Sequence, residues 1–218
     1  MAKIFILAAV CSMLSFACFA QKAKPLKINF RNIGRGGIAV AKGRIHSVID
    51  LSREVNGCAY VSGKQKRELN KSSCASPPAT FKLLDTIVEN NQTFLVVQSD
   101  AMGNCNVCGH CGASEAYALI WLKLDVRLRV VNKQSIPIDD CLANISSSAV
   151  KAHENDNLSD LRLSFKKNTL TVVFEKTIFN ANSDISGYEF STLEYDRKTP
   201  EKGFIIKTEK RGKTSIEE

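Results

Sequence analysis

Apolar and polar residues alternate with a period of two along much of the chain, and this pattern predicts β-strands. Between residues 116 and 130 every even position is Ala, Ile, Leu or Val, whereas the odd positions become charged from Lys123 onwards. Successive side chains of a strand point to opposite faces, so the run predicts a strand with one face buried throughout. Asp125 predicts a turn that divides the run into a hairpin.

Three further hairpins are predicted where β-branched or aromatic residues flank turn-forming residues. They are residues 80–89 with 93–99 around Asn90-Asn91, 161–165 with 169–176 around Lys166-Lys167-Asn168, and 188–195 with 203–208 around a turn that contains Pro200. Residues 27–33, 38–41 and 44–51 predict shorter strands separated by glycines. The best helical segment is 63–71, which predicts one short surface helix.

These patterns predict an all-β, antiparallel fold of about ten strands, either a β-sandwich or an open barrel built from successive hairpins, stabilised by disulfides. A partial propeller fits the same pattern. We expect a single β-rich domain over residues 21–206, because no linker or repeat divides the chain. Residues 207–218 alternate in charge and predict a flexible C-terminal tail.

The first twenty residues predict a cleavable signal peptide. Lys3 precedes an apolar run from Ile4 to Ala20, and the chain turns polar at Gln21. We expect cleavage after Ala20, export to the periplasm, the cell surface or the medium, and no transmembrane anchor after cleavage. A lipid anchor on Cys18 is a minor alternative.

Cleavage leaves six of the eight cysteines, because Cys11 and Cys18 belong to the signal. The six are Cys58, Cys74, Cys105, Cys108, Cys111 and Cys141. An even number of cysteines in an exported protein predicts structural disulfides. Cys58 and Cys74 bracket a polar loop and would pair locally, and Cys141 would tie its turn to the other three. Six cysteines allow fifteen pairings, which stay open.

The tetrapeptide Cys108-Gly109-His110-Cys111 resembles the active-site motif of protein disulfide isomerases. The resemblance implies a redox pair in which a nearby positive charge lowers the pKa of the first thiol and the second thiol resolves the mixed disulfide. It covers four residues only. The family motif starts a helix and usually follows Trp, whereas Val107 precedes it here and a strand pattern follows. A third possibility combines the structural and redox interpretations: one disulfide would be structural, and a second, strained disulfide would exchange.

A metal site is a further alternative for the same cluster. Cys105, Cys108 and Cys111, with His110 or Cys141 as the fourth ligand, would provide tetrahedral zinc ligands. Structural zinc sites usually place their ligand pairs on two separated knuckles, whereas this trio lies within seven residues. We therefore expect no cofactor.

Charge suggests the kind of partner. The formal net charge of +8 becomes +7 when Lys3 leaves with the signal, which suggests affinity for an anionic surface or polysaccharide. Aromatic residues are 7% of the chain and do not interleave with basic ones, so nucleic acid is not expected. Arg31, Arg35, Lys42 and Arg44 predict either a basic patch or a solvated strand face.

No motif of a catalytic nucleophile, such as Gly-x-Ser-x-Gly, occurs in the sequence. We therefore expect a non-enzymatic binding or structural module of the cell envelope or secreted fraction. The alternative function is thiol–disulfide exchange or metal binding at the Cys105/Cys108/Cys111 cluster.

Overall fold

The computed structural model describes residues 27–34, 36–54, 79–102, 115–147, 150–152, 159–161 and 163–212. These residues form fourteen strands and one 3₁₀ helix, Pro200–Lys202. The strands are β1 (Ile28–Gly34), β2 (Gly37–Lys42), β3 (Ile45–Asp50), β4 (Thr80–Glu89), β5 (Gln92–Met102), β6 (Glu115–Leu124), β7 (Val130–Asp139), β8 (Ile145–Ser147), β9 (Val150–Ala152), β10 (Ser159–Leu161), β11 (Phe165–Lys166), β12 (Thr169–Phe179), β13 (Ile185–Asp196) and β14 (Ile205–Gly212). The predicted signal peptide and the predicted helix at 63–71 lie outside the described residues.

The strands form four sheets, and every described strand pair is antiparallel. The central sheet has the order β4-β5-β6-β7. The three-stranded sheet has the order β1-β2-β3, and the five-stranded sheet has the order β11-β12-β13-β14 with β8 paired to β12. Strands β9 and β10 form a two-stranded sheet. The prediction of an all-β, antiparallel protein is confirmed.

The central sheet is covered on both faces. On β5, Phe94 and Val96 join a core that includes residues of β12 and β13. The intervening Leu95 and Val97 join a second core with residues of β2 and β3. Because neighbouring side chains of one strand enter two different cores, the three-stranded and five-stranded sheets must lie on opposite faces of the central sheet.

Strand β6 shows the same double burial, which corrects one prediction. Leu119 and Trp121 enter the core beneath the five-stranded sheet, whereas Ile120 enters the core beneath the three-stranded sheet. Residues 116–122 are therefore buried on both faces, not on one. The predicted burial also fails at two positions after Asp125, because Val126 is 53% exposed and Val130 is 39% exposed, whereas Leu128 between them is buried. Val130 begins β7, which is an edge strand of the central sheet.

Two of the predicted turns have a clear physical cause. Asn90 and Asn91 have φ values of 48° and 61°, as a tight two-residue hairpin turn requires, and they join β4 to β5. Asp125 closes the turn between β6 and β7, because its Oδ1 accepts hydrogen bonds from the backbone N–H groups of Arg127 and Arg129, both at 2.9 Å. The hairpins predicted at these positions are confirmed.

The C-terminal strand is longer than predicted. Strand β14 pairs with β13 as far as Gly212, opposite Gly187, so the pairing continues past the domain end predicted at Ile206. The side chains of β14 are exposed on both faces, and many of them are charged. The sequence of this strand therefore looks like that of a flexible tail. Backbone hydrogen bonds to β13 hold it in the sheet regardless of this polarity.

Candidate functional site

The residues that flank the cysteine-rich segment lie at one end of the central sheet. Met102 ends β5 opposite Glu115, which begins β6, so the cysteine-rich segment 103–114 connects these two strands at this end. Tyr117 pairs with Asp139, which ends β7 at the same end. We call this region the cysteine end. It contains the described residues Asp100, Glu115, Tyr117, Asp139, Asp140 and Cys141.

Of the predicted site residues, only Cys141 lies within the part of the chain that the structure describes. Cys141 begins the turn that follows Asp140 and is partly exposed. The other candidates lie outside the described residues; they are Cys58, Cys74, Cys105, Cys108, His110 and Cys111. The predicted disulfide pairings and the redox and metal interpretations therefore stay predictions.

Two consecutive carboxylates fix the turn that carries Cys141. Oδ2 of Asp139 accepts a hydrogen bond from the backbone N–H of Ser147 at 3.1 Å, which ties β7 to β8. Oδ1 of Asp140 accepts one from the backbone N–H of Leu142 at 3.0 Å. Partial burial raises the pKa of Asp139, and the charge of Asp140 adds to this rise, against the opposing Ser147 hydrogen bond.

Further polar groups lie near this turn, on the face of the central sheet towards the five-stranded sheet. The hydroxyl of Tyr117 donates to Oε2 of Glu115. Gln98 is 6% exposed, and its Oε1 has no hydrogen-bond partner among the described residues. The cysteine end is thus rich in acceptor oxygens, but within the described ranges no group of three His, Cys, Asp or Glu has a metal-binding arrangement.

A second polar cluster joins the central sheet to the five-stranded sheet. Asp85 on β4 is 4% exposed, and its Oδ1 accepts from Nε of Arg197 at 3.0 Å and from Nη2 at 2.5 Å. The hydroxyl of Tyr195 donates to Oδ2 of Asp85 at 3.4 Å. The guanidinium of Arg197 also lies 4.8 Å from the ring centre of Phe165. We call these four residues the interlayer clamp.

The electrostatics of the interlayer clamp keep its hydrogen bonds in place. Burial, followed by the charge of Asp85, raises the pKa of Tyr195, so its hydroxyl remains a donor. The hydrogen bond that Arg197 donates to Asp85 raises the pKa of Arg197, which keeps the guanidinium charged. Two acceptor oxygens of one buried carboxylate are therefore matched by donors from the other sheet.

The residues of the interlayer clamp are not among the predicted site residues, although the sequence carries a signal for Asp85. Asp85 interrupts the apolar run Leu83-Leu84-Asp85-Thr86-Ile87 within a predicted strand. A charged residue in such a run must find a partner when the strand is buried. The register of β4 shifts between Leu83 and Asp85, and such a bulge redirects the side chains that follow.

The predicted basic patch falls largely on the three-stranded sheet. Arg31 lies on β1, whereas Lys42 and Arg44 lie at the turn between β2 and β3. Arg35 lies outside the described residues. The structure therefore brings three of the four predicted basic residues to one sheet.

No protein-family model matches the chain, and neither does any curated protein or solved structure. No helix among the described residues is long and apolar enough to cross a membrane. The functional conclusion accordingly rests on the geometry of the chain.

Proposed function

We propose that the protein is an exported, non-enzymatic binding or structural module of the cell envelope or secreted fraction. The observation that carries this proposal is the structural role of one buried carboxylate, Asp85, and one partly buried carboxylate, Asp139. Asp85 joins two sheets through Arg197, and Asp139 joins β7 to β8 through Ser147. These groups hold layers and strands together, which is the arrangement of a rigid scaffold that presents its outer surfaces to a partner.

Structural disulfides belong to the same proposal. Met102 and Glu115, which flank segment 103–114, lie at the same end of the central sheet as Cys141, because Met102 pairs with Glu115 and Tyr117 pairs with Asp139. A bridge from Cys141 to one cysteine of this segment would join the β5–β6 connection to the turn after β7. Such a bridge restricts the unfolded chain and typically stabilises a fold by about 2–4 kcal/mol.

The experiment for export and disulfides is intact-mass spectrometry with thiol alkylation on protein taken from the exported fraction. We expect an N-terminus at Gln21, no alkylation before reduction and six alkylations after reduction. Retention of the first twenty residues, or a lipid on Cys18, would contradict the proposed processing. Alkylation of two or more thiols before reduction would contradict full oxidation.

A turnover assay distinguishes the scaffold from the thiol–disulfide alternative. We expect the purified protein to leave insulin disulfides unreduced in the presence of a reductant, and to retain no metal by elemental analysis. Insulin reduction that is lost in Cys108→Ser but kept in the matched control Cys58→Ser would establish the alternative. Turnover in a hydrolase screen would equally contradict a non-enzymatic role.

A further inference from the structure

The three-stranded sheet presents basic side chains to solvent. Phe30 and Ile49 pack towards the central sheet, so the alternate residues of their strands point away from it. The outward positions are Lys27, Asn29, Arg31 and Ile33 at β1, Ala39 and Ala41 on β2, and His46, Val48 and Asp50 on β3. We call this surface, together with Arg44 in the β2–β3 turn, the cationic face.

The cationic face has the form of a shallow trough that follows β2. Ala41 lies between Asn29 and His46 in the sheet register, and Ala39 lies between Arg31 and Val48. The short alanine side chains form the floor, and the longer side chains form the two rims. Adjacent strands are about 4.8 Å apart, so the rims are about 10 Å apart, which suits one extended polymer chain.

Charge is strongly unbalanced on this sheet. Residues 27–50 contain five Lys and Arg but only one acidic residue, Asp50, whereas residues 163–212 of the five-stranded sheet contain nine basic and seven acidic residues. Within the described part of the chain, Lys27, Arg31 and Arg44 belong to no ion pair. Their charges therefore remain available to an anionic partner.

We propose that the cationic face binds an acidic polysaccharide laid along the β2 trough. This inference rests on the proposed binding function and names its partner class. Carboxylates along such a polymer match the cations on the β1 rim and at the turn, and a guanidinium such as that of Arg31 binds carboxylates with two parallel hydrogen bonds. The outward positions include two exposed apolar side chains, Ile33 and Val48, but no Phe, Trp or Leu, which are the residues that surface-bound elements bury in a lipid interface.

The test measures binding of the full exported chain to immobilised polygalacturonate, with neutral dextran and phosphatidylglycerol vesicles in parallel. The variant Lys27→Gln/Arg31→Gln/Arg44→Gln removes three charges from the cationic face. The matched control Lys166→Gln/Lys198→Gln/Lys202→Gln removes three exposed charges from the opposite side. We expect about tenfold weaker binding for the first variant and less than about twofold change for the control, since each exposed contact contributes little alone.

A second variant tests the trough without removing any of the three cations. Ala39→Glu places a carboxylate on the trough floor beside Arg31 and should weaken polygalacturonate binding while the thermal midpoint stays within a few degrees. Equal loss in the face variant and the control would overturn the inference in favour of net charge. Preference for vesicles would overturn it in favour of a membrane. Absence of binding to all probes would overturn this inference alone, because export, oxidation and turnover test the proposed function separately.

Discussion

The two outer sheets are attached to the central sheet by different chemistry. Both outer sheets pack on the central sheet through apolar cores, but the five-stranded sheet is also held by the interlayer clamp and by the indole of Trp121, whose Nε1 donates to the carbonyl of Pro200 at 3.0 Å. Beyond its apolar core, the three-stranded sheet is joined to the central sheet by one amide and, just after β3, by Glu54, which pairs with Lys133 on β7. Asn32 donates to the carbonyl of Phe81 at 2.7 Å and accepts from its N–H at 2.9 Å.

This difference explains where free charge is found. Several charged residues of the five-stranded sheet are paired, either internally, as Arg197 is with Asp85, or on the surface, as Lys207 is with Glu194 at 3.1 Å. The cations of the three-stranded sheet have no such role in the described structure. The three-stranded sheet is attached mainly by apolar packing, so its cations are available to bind a partner.

The largest effect is expected from the interlayer clamp. Arg197→Ala leaves the carboxylate of Asp85 buried without its cation, which typically costs about 3–5 kcal/mol. Urea unfolding should show this loss in the free energy of unfolding. Lys207→Ala, which breaks an exposed pair, is the matched control and should cost less than about 1 kcal/mol. Similar losses in both variants would show that the clamp does not hold the sheets.

The two cores are compared directly by matched truncations on neighbouring strands. Leu95→Ala opens the core beneath the three-stranded sheet, and Leu119→Ala opens the core beneath the five-stranded sheet; both leucines are 0% exposed. Each should cost about 3 kcal/mol. Hydrogen exchange should increase selectively in β1–β3 for Leu95→Ala. Equal increases in both outer sheets for that variant would contradict separate attachment.

A smaller effect is expected from the single amide that joins β1 to β4. Asn32→Ala leaves the N–H and carbonyl of Phe81 without these partners in a partly buried position. The free energy of unfolding should fall by about 1–2 kcal/mol. Asn29→Ala, on the exposed side of the same strand, serves as the control and should be close to neutral. A neutral Asn32→Ala would show that water replaces both hydrogen bonds.

The smallest effect concerns pH and the cysteine end. Burial raises the pKa of Asp139 in the folded protein above its ordinary value of 3.8. The unfolded chain therefore ionises first, and Asp139 lowers stability as pH rises from that value through the folded-state pKa. Asp139→Asn should be more stable than the wild type at pH 7 in urea unfolding, and this gain should shrink as pH falls to 4. A gain that is constant with pH would contradict this assignment.

Local turn chemistry made much of the fold predictable. Asn90-Asn91 marks the β4–β5 hairpin because Asn tolerates positive φ, and Asp125 marks the next turn because its carboxylate reaches two nearby N–H groups. The double burial of β5 was not predicted, although the unbroken apolar run from Phe94 to Val97 is a signal for it. Such a run indicates a strand covered on both faces rather than on one.

Long-range polar contacts were not predictable in the same way. Asp85 and Arg197 are separated by 112 positions, and their meeting depends on a bulge in β4 and on the stacking order of the sheets. Apolar periodicity specifies which face of a strand is buried but not which sheet covers it. The cysteine site, in contrast, was predicted from the close spacing of residues along the sequence. Of its candidate residues, only Cys141 lies within the described part of the chain.

The most direct test of a binding role for the three-stranded sheet is lysine acetylation footprinting in the presence of polygalacturonate. Lys27 borders the trough, whereas Lys166, Lys198 and Lys202 are exposed at the five-stranded sheet and its turns. We expect the polymer to slow acetylation of Lys27 several-fold and to leave the acetylation rates of the other three lysines unchanged. Equal protection of all four lysines, or protection of the three control lysines alone, would contradict it.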